Sequence, residues 1–212
     1  MVQLLSTEQM AEFANSGCLF FDGLIDNETN KEFLNDIGHT DIENVDNMQK
    51  YFQNIKASSS IPRIPAGTPL KNAYPHKSPL EKIFQNEVVA GAINSLVGSE
   101  AVVDHQFLHL TFPTKYFKKT NQRQMSQVNH QDSTIDPRIT FDIQLFYFPT
   151  DVTKEMGGTR YHPGTHLRIV NEMGIAKYQN IKGQKKIVCK AGTIGIFHNG
   201  LWHGAGVNFS DE

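Results

Sequence analysis

From Ile139 to Phe148 the chain alternates with a period of two. Ile139, Phe141, Ile143, Leu145 and Tyr147 fall on one side, and Thr140, Asp142 and Gln144 on the other. Successive Cβ atoms of an extended chain point to opposite faces, so this pattern predicts a strand at the surface of a packed sheet. Further extended segments are read at Cys18–Phe21, 102–112, 187–189, 193–198 and 202–208. The 14 phenylalanines lean the same way, because aromatic side chains pack well on a pleated surface.

Helical patterns belong to the first half. Ser6 and Gln9 have capping-box spacing, Leu5 and Met10 suit a hydrophobic staple, and Gly17 stops the helix that follows. Asp26 opens a second helix whose apolar face holds Phe33, Leu34 and Ile37. Ser78-Pro79-Leu80-Glu81 starts a third, read through Ile93 and Leu96 to a stop at Gly98. Residues 39–77 carry four prolines and little periodicity, which predicts a long loop with one short strand at most; a substrate-facing lid and surface decoration fit equally. Helices precede strands without βαβ alternation. The expectation is a mainly β chain, an antiparallel sandwich or jelly roll with the helices packed outside. The whole of 1–212 reads as a single domain, helical over 1–98 and β over 99–212.

Charge and cysteine content exclude several partners. The net charge is −2 and no basic stripe is present, so nucleic acid is not expected to bind. The basic stretches Lys115–Lys119 and Lys182–Lys190 are short and read as solvated. Cys18 and Cys189 make no disulfide framework and sit in apolar runs, which predicts core thiols and a reducing, cytoplasmic setting. The first residues lack the basic and apolar regions of a signal peptide. No apolar run reaches the roughly 18 residues of a membrane span. Oligomeric state is left open.

Nine histidines raise the question of a metal. His39 and His76 lie in polar loops. His105 and His109 share a face of a strand-like segment, where a pocket and a hydrogen-bonded core are equal readings. His162 and His166 flank a Pro-Gly turn. The specific pattern is Asn129-His130-Gln131-Asp132. Two ligands separated by one residue point to the same side of an extended segment. A second histidine from a distant strand then completes the three-ligand set, with open positions, that a non-haem Fe(II) oxygenase needs. The segment Gly195–Asn208 offers His198 and His203. His203 is favoured, because the small Gly204 beside it allows close approach to a metal. His198 stays as the alternative, or packs beside the site.

Several motifs in fixed order resemble the phytanoyl-CoA dioxygenase-like proteins. They are the opening STEQMAEFANSGCLFFDGLID, His130-Gln131-Asp132, Gly157-Gly158-Thr159 leading to Pro163-Gly164-Thr165-His166, Ala191-Gly192-Thr193, and Leu201-Trp202-His203-Gly204. The resemblance covers nearly the whole chain apart from 39–77. It implies a double-stranded β-helix (jelly-roll, cupin-like) core, Fe(II), O2, and 2-oxoglutarate as co-substrate, with release of succinate and CO2. His130, Asp132 and His203 match the iron ligands, and a small-molecule substrate is implied. Related halogenases carry a small residue at the carboxylate position; with Asp132 present, the resemblance implies hydroxylation or another oxidation rather than halogenation. Asn129 and Trp202 adjoin the ligands and are expected to support them.

One departure concerns the co-substrate. The family places an arginine about 11 residues after the distal histidine, near 214, whereas the sequence stops at Glu212. Either the usual anchor lies beyond the last residue given, or another basic residue replaces it. Arg160 is the nearest substitute, since a guanidinium matches a carboxylate bidentately. Thr159, Thr193 and Gln127 are further candidates for polar contacts to the co-substrate, and Gln144 for the same cavity. The rival reading is a cupin-like metal-binding jelly-roll protein without 2-oxoglutarate-dependent activity. Fold analogy does not choose a substrate. The segments that would are 39–77 and 114–127, the latter with Lys115, Lys118, Lys119 and Arg123.

Overall fold

The computed structural model describes residues 2–39, 61–115, 117, 126–132, 141–168, 172–177 and 180–211. Most of the long loop, together with Lys118, Lys119, Arg123, Ile139 and Thr140, lies outside the described residues. The described chain divides into two compact units.

One unit comprises Met1–Leu5 and Leu24–Leu108. Its first helix, α2 (Asn27–Asp36), is capped by Asp26, whose carboxylate accepts from the Thr29 N–H at 2.8 Å. (α1, Thr7–Ser16, belongs to the other unit.) Ser78 caps α3 (Pro79–Gln85) through the Glu81 N–H, with Pro79 in the first turn where no N–H is needed. The single helix expected to reach Leu96 is broken at Asn86. That residue leaves the helical region (φ −55°, ψ 130°) and caps α4 (Glu87–Leu96). Its side-chain oxygen accepts from Val88 at 3.0 Å and Val89 at 3.3 Å, which replaces the lost backbone ladder. Phe33, Ile37, Ile83, Val89, Ala92 and Ile93 are buried here. The expected strand over 102–112 is reduced to β3 (Val102–Val103), because its partner β2 (Thr68–Pro69) offers only two residues to pair with.

The other unit comprises Ser6–Gly23 and His109–Glu212. The capping box predicted at Ser6 and Gln9 is present, and Gly17 ends α1 in the left-handed region at φ 77°. The chain then enters β1 (Cys18–Phe21). Two antiparallel three-stranded sheets follow. In the first, β1 and β4 (Ile143–Phe148) flank β7 (Thr193–His198); in the second, β6 (Lys185–Lys186) and β8 (His203–Ala205) flank β5 (Thr159–Tyr161). A short helix, α5 (Glu172–Ala176), lies between β5 and β6 in sequence. The expected strands at 187–189 and 202–208 are shorter than read, with Cys189 in an isolated bridge to Val152 and the β8 ladder ending at Ala205. Gly206 turns its N–H away, onto the Gly157 carbonyl.

Register decides what faces inward. On β7, Phe197 lies opposite Cys18 and Gln144, Gly195 opposite Phe20 and Phe146, and Thr193 opposite Phe148. That face packs with Tyr161, Ile187 and Leu201 into the cluster joining the two sheets. The rings of Phe20, Phe146 and Tyr161 surround Phe197 at 5.7, 4.7 and 5.3 Å between centroids. Gln144 is thus a polar residue on the inward face of β4. Ile194, Ile196 and His198 occupy the opposite face of β7, and Phe13 of α1 packs near His198. Both cysteines are free, and burial pushes the Cys189 thiol up to about 11. Among the described residues no helix is long and apolar enough to cross a membrane.

Candidate metal centre

Backbone pairing brings His130 to His203. The segment before Gln131 runs antiparallel to β8, with His130 N–H on the His203 carbonyl at 2.8 Å and the reciprocal bond at 3.0 Å. Two further ties hold the next residues. The Asp132 N–H donates to Asn199 at 3.1 Å, and the Gln131 side chain donates to the carbonyls of Gly200 at 2.8 Å and Arg168 at 3.1 Å. His130 is therefore held by β8 itself, and Gln131 and Asp132 by the β7–β8 connection at Asn199 and Gly200. Gly204 makes the approach possible: a Cβ there would lie 2.7 Å from the Val128 carbonyl oxygen.

The side chains converge. Ligand atoms of His130, Asp132 and His203 lie within 4.8 Å of one another, the one such group among the described residues. His130 Nε2 is 3.3 Å from Asp132 Oδ1, and His203 Nε2 is 3.3 Å from Asp132 Oδ2. Each imidazole uses its other nitrogen on the carbonyl two residues back, His130 Nδ1 on Val128 at 2.8 Å and His203 Nδ1 on Leu201 at 2.9 Å. A carbonyl can only accept, so Nδ1 carries the proton and Nε2 presents a lone pair. Asp132 Oδ2 is buried with no hydrogen-bond partner. Lone pairs facing a carboxylate repel one another unless a cation lies among them. The donor set of two imidazoles and one carboxylate suits a divalent first-row metal.

The electrostatics agree. Burial pushes His203 well below its ordinary value, against the opposing pull of Asp132, which keeps the ring neutral as a ligand must be. Burial works to raise Asp132, but interactions with His130 and His203 in their protonated forms and a bond from Gln144 outweigh it and hold the carboxyl below the usual range; with both Nε2 atoms unprotonated, a cation would take over that role. Phe146 and Phe197 set their ring edges against His203 at 6.1 and 6.2 Å, drying one side of the group.

The other candidates are placed as follows. His198 is on the opposite face of β7, where its Nδ1 accepts from the Gly200 N–H at 2.9 Å and burial lowers it to about 4. It is no part of the converging group. His166 is buried next to it, with ring centroids 5.2 Å apart, and bonds the Ala14 carbonyl at 3.2 Å. By strand alternation Asn129 and Trp202 point away from the ligands they adjoin; Asn129 is wholly buried. Thr193 is also fully buried, and its hydroxyl accepts from the Gly23 N–H at 3.2 Å. Thr159 pairs with Ala205 and shares the inward face with Tyr161. The Gln127 backbone is engaged by Ala205 and by Arg160.

Arg160 is not brought to the triad. Tyr161 pairs with His203, so Arg160, one residue earlier, leaves β5 on the other face, opposite Gly204. The reason is strand parity, which spacing from a glycine motif does not reveal. Two residues outside the motifs do approach: Gln144, read from the sequence as a candidate for the cavity, and His109, read equally as a pocket or a core histidine. Gln144 reaches the Asp132 carboxylate, and its Oε1 is buried with no hydrogen-bond partner. His109 lies close enough for its ionisation to feel both Asp132 and His130; burial lowers it overall. Neither belongs to a sequence motif. The alternation of polar residues on β4 was the available signal for Gln144.

Solved structures of similar fold include AviO1 from Streptomyces viridochromogenes Tue57, with 14% identity, TM-score 0.62, and coverage of 100% of this chain and 92% of that one. HygX from Streptomyces hygroscopicus, solved with nickel and 2-oxoglutarate bound, gives 12% identity, TM-score 0.60, and coverage of 99% and 84%. The non-haem α-ketoglutarate-dependent carbocyclase SnoK from nogalamycin biosynthesis gives 16% identity, TM-score 0.60, and coverage of 98% and 80%. No curated protein sequence matches the chain. The profile of the phytanoyl-CoA dioxygenase family, whose members use Fe(II), 2-oxoglutarate and O2, matches residues 13–212, and the chain belongs to that family.

Proposed function

We propose that this chain is a single-domain, non-haem Fe(II)- and 2-oxoglutarate-dependent hydroxylase of a small molecule, built on a double-stranded β-helix. The observation that carries this reading is the convergence of His130, Asp132 and His203 within 4.8 Å, with one carboxylate oxygen buried and unpartnered. Family membership supports the co-substrate, and two free cysteines suit a reducing cytoplasm.

Held by His130, Asp132 and His203, Fe(II) would couple the reduction of O2 to oxidative decarboxylation of 2-oxoglutarate, with one oxygen atom ending in succinate beside released CO2 and the other in the substrate as C–H becomes C–OH. The protein's part is binding and orientation. His130 and His203 present Nε2 because the carbonyls of Val128 and Leu201 hold their Nδ1 protons. Asp132 contributes the compensating charge. Phe146 and Phe197 keep water from one side. Thr159 stands as a contact for the co-substrate by virtue of its inward face.

Succinate release with Fe(II) and ascorbate, measured for the parent chain, His130→Ala and Asp132→Ala across a panel of small-molecule substrates, tests the proposal. Activity is expected in the parent chain alone. Equal release from all three overturns it. Stoichiometric metal with no succinate and no spectral change on adding 2-oxoglutarate favours a cupin-like metal-binding module instead.

A further inference from the structure

Arg160 is buried, with 8% of its surface exposed, yet it sits at neither edge of its sheet. β5 pairs with β8, and Arg160 lies opposite Gly204. With no side chain in the way, the arginine crosses β8. One terminal nitrogen then donates to the Ala205 carbonyl at 3.3 Å and to the Gln127 carbonyl at 2.8 Å. Ala205 belongs to the strand that carries His203, and Gln127 to the segment that carries His130. A single guanidinium therefore spans three neighbouring segments, two of which deliver histidines to the converging group. Its planar fork suits that geometry, and it stays charged although burial lowers its pKa.

We propose that Arg160 is a positioning residue that sets the separation of His130 and His203 from the back of the sheet, rather than the clamp for a co-substrate carboxylate. This rests on reading the triad as a metal site. The Gln127 tie lies three residues before His130 and adds to the backbone bond that Gln127 N–H makes to the Ala205 carbonyl at 3.1 Å. Without it, that bond and the His130–His203 bridge hold the segment alone, and the Nε2 atoms shift from their common focus.

The test uses the full chain with Co(II) as probe, comparing the parent with Arg160→Met and Arg160→Lys. Co(II) affinity and the visible ligand-field spectrum are recorded. The affinity of the Co(II)-saturated protein for 2-oxoglutarate is then measured separately. A weakening of Co(II) binding of about 10-fold or more is expected for Arg160→Met, the scale of supporting-residue losses at metal sites. A changed spectrum should accompany it, with unchanged 2-oxoglutarate affinity once metal is saturating. Arg160→Lys, which keeps donors but not the fork, is expected to recover part of the affinity. Parent-like Co(II) affinity and spectrum in Arg160→Met, or a loss confined to 2-oxoglutarate affinity, overturns the proposal. If Arg160→Met does not fold by circular dichroism, Arg160→Lys carries the same comparison, and a parent-like spectrum overturns it. Failure of the parent chain to bind Co(II) would instead strike at the metal reading.

Discussion

Gly204→Ala adds one methyl group at the point where the two histidine-bearing segments meet. The new Cβ would lie 2.7 Å from the Val128 carbonyl oxygen, 2.8 Å from that of Gln127 and 3.0 Å from the Val128 carbonyl carbon. Carbon–oxygen contacts in sheets settle at about 3.3 Å or more, so the segment must retreat by roughly half an ångström. All three obstacles are backbone atoms, which no rotamer change can clear. Gly204 is not among the positive-φ glycines, so the penalty is steric and not conformational. Overpacking of this kind costs about 1–3 kcal/mol. The retreat also stretches the His130–His203 bonds, now 2.8 and 3.0 Å, and separates the two Nε2 atoms. Metal affinity should fall about 10–100-fold, as for loss of a supporting residue. Calorimetric titration with Co(II) and the melting temperature of the metal-free chain check both effects. Gly195→Ala is the control. Its Cβ would meet the Phe20 ring at 3.1 Å, a side chain that can swing, and it lies away from the ligands, so stability should drop while metal affinity holds. A Gly204→Ala chain with parent-like melting and metal affinity would refute the close-approach reasoning.

Other outcomes follow from the same geometry. Saturating Co(II) or Ni(II) should stabilise the parent chain by about 2.7 kcal/mol at 100 times the dissociation constant, and a chelator should reverse it; melting scans with and without metal decide, and Asp132→Ala should lose the effect. His198 falls from 6.5 unfolded to about 4 in the fold, so the unfolded chain binds the extra proton between those values. Stability should therefore decline as pH drops from 6.5 toward 4, by up to about 3 kcal/mol from this residue, and urea titrations across that window should show a shallower slope in His198→Gln. His162 and His166 are lowered by burial too, so some slope should persist in that variant. Asn86→Ala removes both bonds that start α4 and should cost about 1 kcal/mol in denaturant unfolding without altering metal affinity.

Local signals told much of the story. The caps at Ser6, Asp26 and Ser78, the stop at Gly17 and the strand at β7 depend on a few neighbouring residues, and each is found where the chemistry of those residues puts it. The helix break at Asn86 was readable in principle, as an Asn followed by Glu-Val-Val. A continuous apolar stripe on both sides obscured it. Strand lengths were poorly legible, since a strand ends where its partner ends, and the partner of Val102 is remote in sequence.

By itself the sequence determined the kinds of donor in the candidate metal centre. His-x-Asp in an extended segment must send both groups one way, and Gly204 marks the histidine that tolerates close approach. Tertiary structure alone decided which face each remaining residue occupies. Parity along β5 turns Arg160 away from the metal group and turns Tyr161 toward it. Parity along β4 brings Gln144 inward with Phe146. A shift of one residue in pairing would exchange these roles, because side chains alternate and register is set by partners distant in the chain. Ligand identity is a property of single residues, whereas aim belongs to the paired strands.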